Sequence, residues 1–307
     1  MRETEVLVPK RNRNVPRAWW VRRGGRAAPS GGGGASVTVS RPILRRTALS
    51  ILGGLAAAAG FEGVAAYIRG RIFRPEHARL RSGPIDGVAF AVLEIRRPDG
   101  SCLHGLAATA PRAEALVLYL HGNGGNAAVG AARAAELVRA GYDLVVADYR
   151  GYGGNAGVPS EAGLIEDASA FLARARELAG ARPVLLVGHS LGGAVAILVA
   201  GEGRDRIDGL LTLCAVARVS DLVPAIGRPF LRDGFDALAA ASRIRVPWIV
   251  AHGEADAVVP AADAVRLAGA APTATRALRI LPGQGHDLAP ATLRALVDEL
   301  AAWVRTG

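Results

Sequence analysis

Six short apolar runs recur between residues 115 and 281: "ALVLYL" (115–120), "DLVVAD" (143–148), "PVLLVG" (183–188), "GLLTLC" (209–214), "PWIVAH" (247–252) and "ALRIL" (277–281). Their apolarity is continuous rather than alternating, which is what parallel strands covered on both faces require. The segments between them carry a helical period. In "SEAGLIEDASAFLARARELAG", Ile165, Ala168, Leu172 and Ala175 fall on one face; Ser160 is placed to cap the start, Glu161 suits the first turn and Gly180 closes the end. Ahead of the runs, "GVAFAVLEI" and "CLHGLAATA" flank Pro98-Asp99-Gly100 and read as an antiparallel hairpin. The pattern predicts an α/β domain with a doubly wound, mostly parallel sheet and an N-terminal antiparallel hairpin.

Charge changes the picture only at the N-terminus. The chain has 307 residues and a formal charge of +10, yet residues 1–46 alone hold 11 basic and 2 acidic side chains, whereas residues 82–307 hold 21 and 23. The body has no positive field to attract phosphates, which sets nucleic acid aside as a partner. Residues 1–46, with "RAAPSGGGGAS", read as a disordered basic tail. Residues 47–68 carry a single charge, Glu62, over 22 residues and read as a transmembrane or signal segment. A membrane anchor with the body outside the cytoplasm comes first. Export after signal cleavage comes second, suggested by Arg45-Arg46 and "LAAAAG", and an amphipathic helix packed on the domain third. The remaining domain is placed at 72–307. Cys102 and Cys214, two distant thiols, define neither a disulfide framework nor a metal cluster.

The third of the central runs, 183–188, ends in Gly188-His189-Ser190-Leu191-Gly192 and opens an apolar helix. A serine on so tight a strand-to-helix bend is exposed at the ligand-binding end of such a sheet, and flanking glycines allow strand and helix to approach. A serine hydroxyl needs a base, and the base an orienting carboxylate. In this kind of sheet they follow in the order serine, acid, histidine. Asp256 lies in "VAHGEADAVVP" beyond the next-to-last strand, with Glu254 the next possibility, and His286 lies in "PGQGHDLAP" beyond the last. Duller roles exist for both: a turn residue for Asp256, and a cap of the final helix for His286, for which Asp287 is better placed. His189 neighbours the serine and points elsewhere, while His121 and His252 end strands ahead of a glycine. The two oxyanion donors fall to the amide of Leu191 and to Asn123 of "YLHGNGGNAAVG", with Gly122 second. A rival reading takes Gly122 to Ala127 as a dinucleotide fingerprint and Asp148 as its ribose ligand. The preceding hairpin and the unused serine, aspartate and histidine count against it.

The stretches "HGNGGN", "DYRGYGGNAGVPSEAGLIEDASA", "GHSLGG" and "HGEADAVVP…GQGHD" together resemble the α/β-hydrolase superfamily, in its membrane-anchored, serine-aminopeptidase-like branch. The resemblance spans roughly residues 72–306. It implies Ser190 as nucleophile, Asp256 as acid, His286 as base, Asn123 and Leu191 at the oxyanion, and no metal or cofactor. The "GGN" after Tyr152 departs from the usual pattern, which has Ser or Thr there. A short lid falls at 215–238, where Val219, Leu222, Val223, Pro224, Phe230 and Leu231 are candidates for an acyl channel or for ordinary packing. Arg218 and Arg228 nearby read as solvated charge. The expected activity is hydrolysis of carboxylic esters or thioesters of a small or acyl-chain substrate. A peptidase or amidase, or a non-catalytic binding module of the same fold, are the alternatives.

Overall fold

The computed structural model describes residues 63–97, 99–203 and 207–306. The expectations for residues 1–46, and for 47–62 of the apolar segment, lie outside the described residues. Helix α1 covers residues 63–72. It is followed by β1 (Arg74–Pro75), β2 (Gly83–Ile85), β3 (Val88–Arg96), β4 (Cys102–Ala108) and β5 (Ala115–Leu120). Next come β6 (Gly124–Gly125), α2 (Ala127–Arg139), β7 (Tyr142–Ala147), α3 (Glu161–Ala179), β8 (Val184–His189) and α4 (Leu191–Glu202). The chain then forms β9 (Gly209–Leu213), α5 (Val219–Leu222), α6 (Ala237–Ala241), β10 (Trp248–Gly253), α7 (Ala262–Ala270), β11 (Arg276–Leu281) and α8 (Pro290–Thr306).

Nine strands form one sheet in the order β11-β10-β9-β8-β5-β7-β4-β3-β2. From β11 to β7 all neighbours are parallel, and β4 joins β7 antiparallel. The predicted hairpin is β3 and β4, running from Ala91 opposite Ala107 to Arg96 opposite Cys102. Burial on both faces accounts for the unbroken apolar runs. Along β5, Leu116, Leu118 and Leu120 enter a core built with α3 and α4, while Val117 and Tyr119 enter a second core built with α2 and α8. Helix α3 begins as its sequence dictates, with Ser160 Oγ accepting from the Gly163 amide at 3.1 Å.

The segment expected to cross or target a membrane departs from expectation at its end. Residues 63–68 belong to α1, which packs on the domain. Ala65 is buried, Ile72 and Phe73 join the core, and Ile68 lies against Gly227 of the lid. Arg69 Nε donates to Asp233 Oδ2 at 3.1 Å. The spacing of Ala65, Ile68 and Ile72 gives α1 an inward side, while Ala66, Tyr67 and Gly70 stay exposed. The folded domain therefore begins before residue 72. Among the described residues no helix is long and apolar enough to cross a membrane.

The lid is α5 followed by a 3-10 turn over Ala225–Phe230, closed at its base by Arg218 Nε donating to Asp236 Oδ1 at 2.8 Å. Arg218 is thus paired, and Arg228 Nε donates to the Val223 carbonyl. Val219 and Val223 are buried and Leu222 packs on the core, which commits them to holding the lid down. Phe230 and Leu231 are half-buried and Pro224 is exposed.

Candidate active site

Ser190 stands between the last residue of β8 and the first of α4, with φ 55°. A non-glycine residue held there stores about 1–3 kcal/mol of strain, so the surroundings must fix it. They do so through the backbone: Ser190 N donates to the Leu213 carbonyl at 2.9 Å, and Ser190 O accepts from Gly193 N at 3.0 Å. The two flanking glycines are where the elbow closes. A Cβ on Gly188 would lie 2.4 Å from Gly192 O, and one on Gly192 would lie 2.3 Å from Leu120 O, both impossible contacts. Among the described residues Ser190 Oγ takes part in no hydrogen bond, so the hydroxyl is held in place but not engaged.

Asp256 performs two tasks with its two oxygens. Oδ1 accepts from the amides of Val258 and Val259 at 2.7 and 2.9 Å, which is the turn-residue role. Oδ2 lies 2.8 Å from His286 Nδ1 and 3.1 Å from His252 Nε2. Burial of Asp256 opposes its ionisation, but the hydrogen bonds from His252 and His286, with the charge of His286 and the Val259 amide, outweigh burial and hold the carboxyl well below the usual carboxylate range. A carboxylate only accepts, so His286 Nδ1 carries the proton of that bond and Nε2 is left as the basic nitrogen. The loop bearing His286 sits tightly on the end of β10, since a Cβ on Gly253 would lie 2.2 Å from Gly285 O. It also meets the elbow: His189 Nε2 is 3.0 Å from the His286 carbonyl, and the two rings are 4.9 Å apart. Glu254 is exposed. Asp287 does not cap α8, which starts at Pro290; it pairs with Arg133 at 2.7 Å.

The expected oxyanion loop runs beside the serine. A Cβ on Gly122 would lie 3.3 Å from Ser190 Cβ. The Asn123 side chain donates to the Ile72 carbonyl at 3.1 Å, and its carbonyl accepts from Arg74 N and from the Tyr152 hydroxyl. Its backbone amide has no hydrogen-bond partner among the described residues. Leu191 opens α4, so its amide has no intrahelical partner. Asp148, the acid of the dinucleotide reading, is fully buried and already satisfied by His121 Nε2 and by the amides of Ala127 and Tyr149, all at 3.0 Å. It has nothing left for a ribose. Asn155, the departure after Tyr152, bonds the backbone N and O of His104 and ties the loop to β4.

Three residues of the site escaped the sequence. His252 braces Asp256, and its own Nδ1 is buried with no hydrogen-bond partner. Cys214 Sγ, a His252 nitrogen and an Asp256 oxygen lie within 4.8 Å of one another, a donor set of metal-ligand type. Both Asp256 oxygens are already engaged, and burial pushes the Cys214 thiol up to about 12, which keeps it protonated. The set fits a buried brace for the acid better than a metal centre. Arg133, the third, reaches the elbow and the His286 loop together. The glycine after the strand was the one available signal for His252; nothing in the sequence marks Arg133.

Comparison with known proteins agrees with this architecture. Residues 111–232 match the serine aminopeptidase S33 family. The uncharacterized protein YfhR of Escherichia coli O157:H7 is 29% identical over 213 residues, covering 66% of this chain and 74% of YfhR. Lysophosphatidylserine lipase ABHD12 of Danio rerio is 31% identical over 172 residues, 47% of this chain and 44% of that protein. Among solved structures, the Pyrococcus furiosus esterase PF2001 aligns with a TM-score of 0.55 at 16% identity, covering 76% of this chain and 96% of that one. Sheet order, elbow and these matches lead to one assignment: the chain has the α/β-hydrolase fold.

Proposed function

We propose that the protein is a serine hydrolase of carboxylic esters or thioesters, with Ser190 as nucleophile, His286 as general base and Asp256 as the acid that aligns it. The observation that carries this reading is the 2.8 Å bond from His286 Nδ1 to a buried, ionised Asp256, on a loop docked against the residue next to a strained serine. Ser190 Oγ attacks the acyl carbon as His286 Nε2 takes its proton. The imidazolium keeps its Nδ1–H on Asp256, and the oxyanion is received by the amides of Leu191 and Asn123. Collapse expels the alcohol or thiol, which takes the proton from His286. Water, activated by the same nitrogen, then releases the acid and restores Ser190.

A short lid suits substrates that extend from the site, and the lipase and esterase among its relatives and structural neighbours support ester chemistry. The test is a p-nitrophenyl ester chain-length series beside fluorophosphonate labelling, on wild type and Ser190→Ala. Labelling and turnover are expected in the wild type and absent in the variant. Labelling that survives the substitution overturns the nucleophile assignment.

The packing of α1 also bears on location. Thr47 to Phe61 is an uncharged run of 15 residues, short of the about 20 that a helical span needs. A signal segment or an interfacial anchor fits that length better than a transmembrane helix, and carbonate extraction of full-length protein separates the two.

A further inference from the structure

Arg133 lies in the second turn of α2, the helix that follows the loop beside Ser190. Its Nη1 is 3.2 Å from His189 Nδ1 and 2.7 Å from Asp287 Oδ1. His189 immediately precedes Ser190, and Asp287 immediately follows His286. On its other side, His189 Nε2 is 3.0 Å from the His286 carbonyl and 3.7 Å from Asp287 Oδ1. One guanidinium therefore joins α2, the end of β8 and the loop of the base.

The partners dictate the proton arrangement. A guanidinium only donates, so His189 Nδ1 must accept. The His286 carbonyl only accepts, so His189 Nε2 must carry the hydrogen. The ring is neutral with one tautomer allowed. Burial first, then the charges of Arg133 and His286, bring its pKa down to about 3, so the arrangement persists through the neutral range. An isolated surface ion pair would leave no such chain, because its geometry would be free to relax.

We propose that Arg133 is a positioning residue for the base: by holding His189 and Asp287 together, it fixes the backbone of His286 against the elbow that carries Ser190. The inference rests on the reading of Ser190 and His286 as nucleophile and base. It assigns a role to His189, which otherwise serves only as a spacer before the serine. It also assigns one to Asp287, whose side chain is 65% exposed and would otherwise be ordinary surface charge.

The test compares Arg133→Met, Arg133→Lys, Asp287→Asn and His286→Ala with wild type in p-nitrophenyl butyrate hydrolysis, with thermal midpoints measured alongside. For Arg133→Met a fall in kcat of about 10- to 100-fold is expected, with KM within about threefold, because a base displaced by an ångström loses rate rather than binding. Arg133→Lys recovers part of the loss, since an ammonium can still donate to one partner, and Asp287→Asn falls between the two. A folded Arg133→Met with wild-type kcat overturns the inference. Should that variant not fold, Asp287→Asn at its exposed position decides in its place, and wild-type kcat there overturns the inference equally. His286→Ala keeps the two readings apart. Activity retained in His286→Ala removes the base assignment itself; activity lost there but kept in Arg133→Met removes only the clamp.

Discussion

Two buried carboxylates meet a histidine at the same end of the sheet, and only one pair is open. His121 follows β5 and Asp148 follows β7; their side chains are 4% and 0% exposed. His121 Nε2 is 3.0 Å from Asp148, and its Nδ1 is 2.8 Å from the Gly122 carbonyl. Tyr149 and Tyr152 pack their rings on it at 4.7 and 5.3 Å. Both nitrogens are used, so neither is left to face a substrate. His286 presents the same imidazole to the same kind of acid, at 2.8 Å from Asp256 with 17% exposure, but its Nε2 has no partner among the described residues. On the proposed function, the difference between a structural and a reactive pair is one unoccupied nitrogen.

Matched isosteric substitutions at the two acids break the comparison if it is wrong. Asp256→Asn leaves the shape intact but removes the preference for Nδ1–H on His286, and kcat is expected to fall by about 10⁴-fold in the ester assay. Asp148→Asn leaves a buried donor facing donors and is expected to lower unfolding free energy by about 3 kcal/mol in a urea titration. Its folded fraction should label with fluorophosphonate at near the wild-type rate. A rate loss at Asp148→Asn as large as that at Asp256→Asn would mean that both pairs serve the chemistry.

Acid sharpens the contrast, because the open site is where neutral histidine and ionised aspartate are both enforced. The folded pKa of His189 is about 3 against an ordinary 6.5, so below 6.5 the unfolded chain binds a proton that the native one refuses. Its contribution is complete above pH 6.5 and is lost as pH falls towards 3, at a slope on the order of 1 kcal/mol per pH unit. Asp256, held below the usual range, adds loss in the same direction below its unfolded value. His189→Gln should flatten the slope of urea stability between pH 6.5 and 3. An unchanged slope would show that His189 is not held neutral.

How much of this the sequence carried depends on the range of the interactions. Strand β5 matches its apolar run residue for residue, because burial on two faces writes itself into every position. Gly188, Ser190 and Gly192 were legible because one local bend imposes all three. That Asp256 and His286 come together was expected from chain order. Arg133 was not legible: an arginine on a helix of small residues looks like any solvated charge, and its partners lie 56 and 154 positions away. His189 was read as pointing elsewhere, as indeed it does, but its target is the backbone of the base. Residues 63–68 fall within the apolar run expected to cross or target a membrane because apolar side chains that pack on a lid and those that face lipid have the same hydropathy. Only the spacing of Ala65, Ile68 and Ile72 separates them.

The smallest test addresses the closed pair from its rim. The Tyr149 hydroxyl donates to the His121 carbonyl at 3.1 Å, inside the cage that excludes water from His121. Tyr149→Phe removes that one donor and keeps the ring, so the aromatic packing on His121 and Tyr152 survives. The carbonyl of His121 loses a buried partner, which costs about 1 kcal/mol. If the pair is structural, that cost appears in the urea midpoint, and kcat and KM stay at wild-type values. If the cage also sets the position of Gly122 and Asn123 beside Ser190, kcat falls while the midpoint barely moves. The division between a locked and a working histidine would then have to be drawn outside the tyrosines rather than at the free nitrogen of His286.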